Sequence, residues 1–245
     1  MRRHSSITWL VQSMVLRLRC ASLYLTMMVA SALLAGCVGT IATSHEAGPE
    51  TRPVFLLDHG RHSTLLLSRA DGSLVRYLYG DWRWYAEGDT GILRAVPTLF
   101  APTPSALGRQ ILSGPSTDAA IRDQVRMRIL ALYRLPAARQ RIDRLDSRLE
   151  GYFERLRDQA YYNAGYAVEF VPGQDPYTLS NNSNHVVAGW LGELGIDVRG
   201  NPVFGNWRVV RERNWRHAAR ARVRAQRTWM SGCTALRTAP ARRIE

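Results

Sequence analysis

The sequence predicts an α+β fold in which an antiparallel sheet packs against helices, and three observations carry that reading. Apolar runs at residues 54–57, 62–68 and 74–79 have strand length, with the hairpin signal Asp71-Gly72 between the last two. Further on, apolar side chains recur at helical spacing over two long stretches. The composition, 46% hydrophobic and 22% charged, supplies enough apolar material for a core.

In chain order, 54–57 reads as a buried strand, 62–68 as a second strand with Leu65, Leu66 and Leu67, and 74–79 as a third. Residues 81–85 (Asp-Trp-Arg-Trp-Tyr) form an aromatic loop or short helix, and Pro97, Pro102 and Pro104 make the next stretch irregular. A helix over 117–133 places Ile121, Val125, Ile129 and Leu132 on one side. Another over 137–157 does the same with Ile142, Leu145, Leu149 and Phe153. Residues 161–171 hold a strand pair turning at Asn163-Ala164-Gly165. A third helix spans 183–194, with Val186, Val187, Trp190, Leu191 and Leu194 inward and Gly195 as its stop. Residues 202–210 are a last strand, and 211–229 a basic helix. The domain is therefore 53–210, and 211–245 is a basic C-terminal helix or tail.

Before the domain, Arg17 and Arg19 precede an uncharged run, 20–36, rich in Leu, Met, Ala and Val. A basic flank and a short apolar stretch make an export signal and are short for a membrane span. The run ends in Leu34-Ala35-Gly36-Cys37, which resembles the bacterial lipobox. That resemblance implies a signal peptide over 1–36, with Met14 as an alternative start, and lipidation of Cys37. Its acyl chains would anchor the product at about 0.8 kcal/mol per buried methylene. Residues 37–52 are small and polar and read as a tether. By resemblance to enteric lipoproteins, Val38 after the cysteine implies a place in the cell envelope at the outer membrane, facing the periplasm. With Cys20 removed and Cys37 lipidated, Cys233 is alone, so the mature domain has no internal disulfide.

The net charge is +13, and no lysine occurs. Eleven arginines and two glutamates lie between Trp207 and Glu245. This end suits anionic lipid or a solvated basic helix; nucleic acid is not expected of an exported chain.

The chemistry-bearing residues form one constellation. A two-residue loop at Asp71-Gly72 sets Ala70 against Ser73 and His62 against Asp81, where the carboxylate can orient the imidazole. The run Ser180-Asn181-Asn182-Ser183-Asn184-His185 opens a helix. Ser183 there gains from the helix's positive end and from free backbone N–H groups, although Ser and Asn are also ordinary helix caps. His185 lies two residues from Ser183 and points away from it. His59 and His62 are not expected as a metal pair, because positions three apart in a strand point to opposite faces. No zinc-type Cys/His cluster exists, and neither metal nor cofactor is expected.

The order of an early-strand His and a late helix start, reading Asn182-Ser183-Asn184-His185 where the pattern is Asn-Cys-x-His, resembles the circularly permuted papain-like fold, as in lecithin retinol acyltransferase-like proteins and permuted desumoylating peptidases. Asp58-His59-Gly60-Arg61-His62-Ser63, Tyr79-Gly80-Asp81 and Asn181-Asn182-Ser183-Asn184-His185 are similar to a bacterial family of that superfamily. The resemblance covers roughly residues 54–196. It implies that His62 is the base and Ser183 the nucleophile, with serine where those families carry cysteine; Asp81 as third member follows from the hairpin register. A thiol ionises near pH ~8.5 or below, whereas a serine hydroxyl needs full general-base help. Two readings follow. One is a non-catalytic envelope lipoprotein that binds a peptide, glycan or lipid through Trp82, Trp84, Tyr85, Asn182 and Asn184. The other is a serine-variant amidase or acyltransferase acting on cell-wall peptides or lipid acyl groups.

Overall fold

The computed structural model of the chain describes residues 22, 24, 26–27, 38–43, 50–89 and 101–211. Cys37, the rest of the lipobox, Cys233 and the basic segment after Arg211 lie outside the described residues. Among the described residues, no helix is long and apolar enough to cross a membrane.

Strands β2 (Thr51–Asp58) and β3 (Ser63–Ser68) form a tight hairpin. The His59 N–H donates to the His62 carbonyl at 2.9 Å, leaving only Gly60 and Arg61 in the loop. Gly60, at φ +97°, supplies the positive angle that the first loop position of such a turn requires. Next comes β4 (Leu74–Asp81). Its turn differs from the expected one. Arg69 N donates to Ser73 O and Gly72 N to Arg69 O, so three residues, not two, make the loop. Gly72 takes φ +85°, the left-handed position that closes a bulged turn. The register therefore moves by one: Thr64 faces Leu78 and Leu66 faces Arg76. Continued outward, it sets His62 against Gly80 and not against Asp81, and a one-residue slip reverses every face.

After α1 (Trp82–Tyr85) come β5 (Ser105–Leu112), α2 (Asp118–Gln124), β6 (Ala131–Ala138), α3 (Arg139–Arg155), β7 (Tyr161–Asn163), β8 (Val168–Pro172) and α4 (Ser183–Glu193). The main sheet has the order β6-β2-β3-β4-β5-β8-β7, with every pairing antiparallel. The α+β class with an antiparallel sheet is thus what the chain adopts. Strands β3 and β4 are buried along their whole length because both faces are covered. On one face, Leu65, Leu67, Val75 and Tyr77 meet Leu145, Leu149 and Phe153 of α3 and Val187, Trp190 and Leu191 of α4. On the other, Phe55, Leu57 and Leu66 meet Ile121 of α2, while Leu78, Ala106 and Phe170 meet Trp82 and Tyr85 of α1.

Two expected elements are corrected. The helix expected over 117–133 stops at Gln124, where Val125 turns to extended backbone, and the chain leaves to pair along β2 as β6. Val125 and Ile129 are buried as expected, but outside a helix. The segment expected as a tether contains β1 (Val38–Thr43), the middle strand of a second sheet. It pairs antiparallel with β9 (Asp197–Arg199) and parallel with β10 (Asn206–Arg211). The reason is burial: Ile41 is fully enclosed and joins the same core as Trp207.

Candidate functional site

Asp81, the expected orienting carboxylate, is instead the N-cap of α1. Its Oδ1 accepts the Trp84 N–H at 2.9 Å and its Oδ2 accepts the Thr103 hydroxyl at 2.5 Å. His62 is 5% exposed, and its ring lies 4.5 Å from that of Tyr85 and 6.0 Å from that of His59. Neither of its nitrogens has a hydrogen-bond partner. His59 and His62 share a face, contrary to the strand-alternation argument, because the hairpin turns between them. Tyr85 packs directly over Gly80, where a methyl group would overlap its ring.

Arg76 is the charged side chain that acts on both histidines. Arg76, fully buried in β4, reaches no carboxylate among its bonded partners: it donates to Thr64 Oγ1 at 3.2 Å, Gln110 Oε1 at 2.8 Å and Met127 Sδ. Burial pushes its guanidinium down to about 9. His59 Nδ1 sits 2.9 Å from the Arg128 carbonyl and must carry the proton there, so its Nε2 accepts from Thr64 Oγ1 at 3.1 Å. Burial first, and then Arg76, hold His59 down at about 4. Burial, His59 and Arg76, in that order, hold His62 far below the ordinary histidine range. Both rings are neutral at pH 7.

Ser183 occupies the first turn of α4, as the sequence predicts, but its side chain is fully buried and its Oγ has no partner. Ser183 and His62 thus make no hydrogen bond to each other. Of the N–H groups near Ser183 and Asn184 expected to serve an oxyanion, the helix cap takes the one on Asn184. Asn182 Oδ1 accepts from Asn184 N at 3.0 Å and from His185 N at 3.2 Å. Asn184 is a staple: its Oδ1 accepts the Ser63 hydroxyl, while its Nδ2 donates to the Arg61 and Val203 carbonyls. Ser63 Oγ in turn accepts the Trp207 indole N–H at 2.6 Å. His185 bonds Asn182 and Asn201 and takes no part beside Ser183.

This stapling holds three loops around a groove of about 640 Å³, lined by Arg61, Tyr177, Leu179, Asn182, Val203 and Phe204 among others. That size falls in the usual range for ligand pockets, ~300–1,000 Å³. Of the five residues expected to bind ligand, Asn182 lines the groove. Trp82, Trp84, Tyr85 and Asn184 do not; Asn184 is buried as the staple, Trp82 and Tyr85 pack against the core, and Trp82 donates to Glu87. The sequence offered no signal for Leu179 or Phe204, which are isolated apolar residues in loops. Among the described residues, no three His, Cys, Asp or Glu side chains converge as a metal site needs. No family model, curated protein or solved structure matches the chain.

Proposed function

We propose that the chain is a bacterial envelope lipoprotein, anchored to the outer membrane through lipidated Cys37, whose domain is a papain-like scaffold turned to binding. Its ligand, a peptide, glycan or lipid, occupies the groove at the start of α4 and is not cleaved. The arginine-rich segment after Arg211 rests on anionic lipid.

One observation carries the non-catalytic reading. Of the aids that a serine mechanism needs beside nucleophile and base, the expected orienting carboxylate and one of the expected oxyanion donors are spent on helix caps. Asp81 caps α1, and the Asn184 and His185 N–H groups bond Asn182. A neutral imidazole with no carboxylate behind it, and no bond to the hydroxyl, does not activate serine.

A second reading, the serine-variant amidase or acyltransferase, is favoured by a different observation. Of the five buried side-chain nitrogen and oxygen atoms left without a partner among the described residues, three belong to His62 and Ser183. Such orphans are costly and gather at working sites. A fluorophosphonate probe separates the two. The binding reading expects no Ser183-dependent labelling and no hydrolase activity in Ser183→Cys. Labelling that disappears in Ser183→Ala overturns it. Incorporation of labelled palmitate, lost in Cys37→Ser, tests the anchor.

A further inference from the structure

The geometry points to a membrane-docking face: the end of the domain carrying the groove lies against an anionic bilayer, with Phe204 and Leu179 entering the headgroup–acyl boundary and Arg61 against the lipid head groups. This rests on the reading of Cys37 as the acylated residue and goes beyond it, since a lipid anchor alone leaves the orientation of a domain free.

Chain direction is the first argument. β1 begins at Val38, and Cys37 is one peptide away, about 3.8 Å between Cα atoms. No spacer separates the anchor position from a paired strand. Val38 faces Asn206, itself a groove residue, and the loop from Gly200 to Gly205 closes over that end of β1. A methyl group on Gly200 would overlap the Val38 carbonyl. The start of β1 and the groove are therefore one place on the surface.

Surface chemistry is the second. Phe204 is 42% exposed and Leu179 43%, large apolar side chains on two different loops at the same rim. Arg61, exposed at the tip of the β2–β3 turn, shows no ion pair among the described residues, and no acidic residue lines the groove. Apolar side chains beside an unpaired cation suit the interface of a bilayer that carries negative lipid. An acidic protein partner would cover the same side chains, and it is the anchor position beside the groove that favours the bilayer.

The test uses the full mature lipoprotein carrying Cys233→Ser, so that each added cysteine is the sole free thiol. Nitroxide labels at Phe204→Cys, Leu179→Cys and Ile111→Cys are compared in vesicles of phosphatidylethanolamine and phosphatidylglycerol. Ile111 is 56% exposed and pairs with Val75, at the opposite end of the sheet. Docking expects labels at 204 and 179 to gain contact with lipid-soluble oxygen and to lose contact with a water-soluble nickel chelate several-fold, while 111 stays aqueous. Adding Arg61→Glu should move the label at 204 back toward water. Palmitate incorporation with all three labels aqueous overturns the docking and leaves the anchor standing. Absence of palmitate at Cys37 overturns the anchor, and the docking with it. Loss of nickel contact without gain of oxygen contact marks coverage by protein and also overturns the docking.

Discussion

Replacing Ser183 by alanine is expected to stabilise the fold. The hydroxyl is fully buried and has no hydrogen-bond partner, so folding strips it of water and returns nothing. An unsatisfied buried polar group of this kind costs ~1–3 kcal/mol. Removing one oxygen opens a void of roughly 10 Å³, which at ~24 cal/mol per Å³ returns only about 0.2 kcal/mol of that gain. Alanine is also the better helix former, by a few tenths of a kcal/mol in the first turn of α4. The net expectation is ~1–2 kcal/mol in favour of the variant. Urea denaturation of residues 38–245 measures it. With a slope of ~2 kcal/mol/M, the midpoint should rise by about 0.5–1 M with the slope unchanged. A midpoint that stays put or falls would show that Ser183 Oγ has a partner in solution, and the case for an idle hydroxyl would fail.

Asp81→Ala should cost ~1–2 kcal/mol through the lost cap of α1 and the freed Thr103 hydroxyl, yet leave the NMR titration of His62 in place; a moved His62 titration would restore the triad. Acid should weaken the fold through the paired histidines. Their folded pKa values lie below the unfolded one, so the unfolded chain takes up protons first. Stability is full above about pH 6.5 and falls as pH drops toward about 4, by ~3 kcal/mol for His59 alone. Urea midpoints at pH 7 and pH 5 check this, and a His59→Gln/His62→Phe variant should flatten the dependence. Arg109→Met should cost ~2 kcal/mol. It removes the buried guanidinium that joins α3, β5 and β8, taking from Glu169 its ion pair, while Glu150 keeps Arg69 and Glu154 keeps Arg157. Thermal unfolding that does not change in this variant would show that these pairs are screened.

The helices α3 and α4 were legible because each has a regular apolar side. Ile142, Leu145, Leu149 and Phe153 are buried on α3, and Gly195 with φ +79° ends α4 as a glycine should. The hairpin at Asp71-Gly72 was legible in position but not in register. Glycine fits the left-handed position of a two-residue loop and of a three-residue bulged loop equally well, and nothing in Ala-Asp-Gly-Ser chooses between them. That one residue carried the His62–Asp81 pairing with it. Strand β5 was hidden because Gly108, Arg109 and Gln110 interrupt its apolar pattern. Arg109 finds carboxylates on α3 and β8, and Gln110 bonds Arg76 on the next strand, contacts that only the fold supplies. β6 lost to tertiary pairing: a stretch with helical spacing lies along β2 as an edge strand, where Pro136 faces Pro53. The groove was illegible for a related reason, since its rim is drawn from three loops far apart in sequence.

The parallel contact between β1 and β10 ties the first described strand of the domain to the last. Val38 meets Asn206 and Thr43 meets Arg211, so the small sheet cannot close until nearly the whole domain is synthesised. Contacts so distant along the chain form late and slowly. A polypeptide threaded through a translocation pore amino end first, as the proposed export requires, would hold β1 unpaired until residues 197–199 followed it across, and the small sheet incomplete until residue 211 did. On that proposed route the fold would complete only on the far side of the pore.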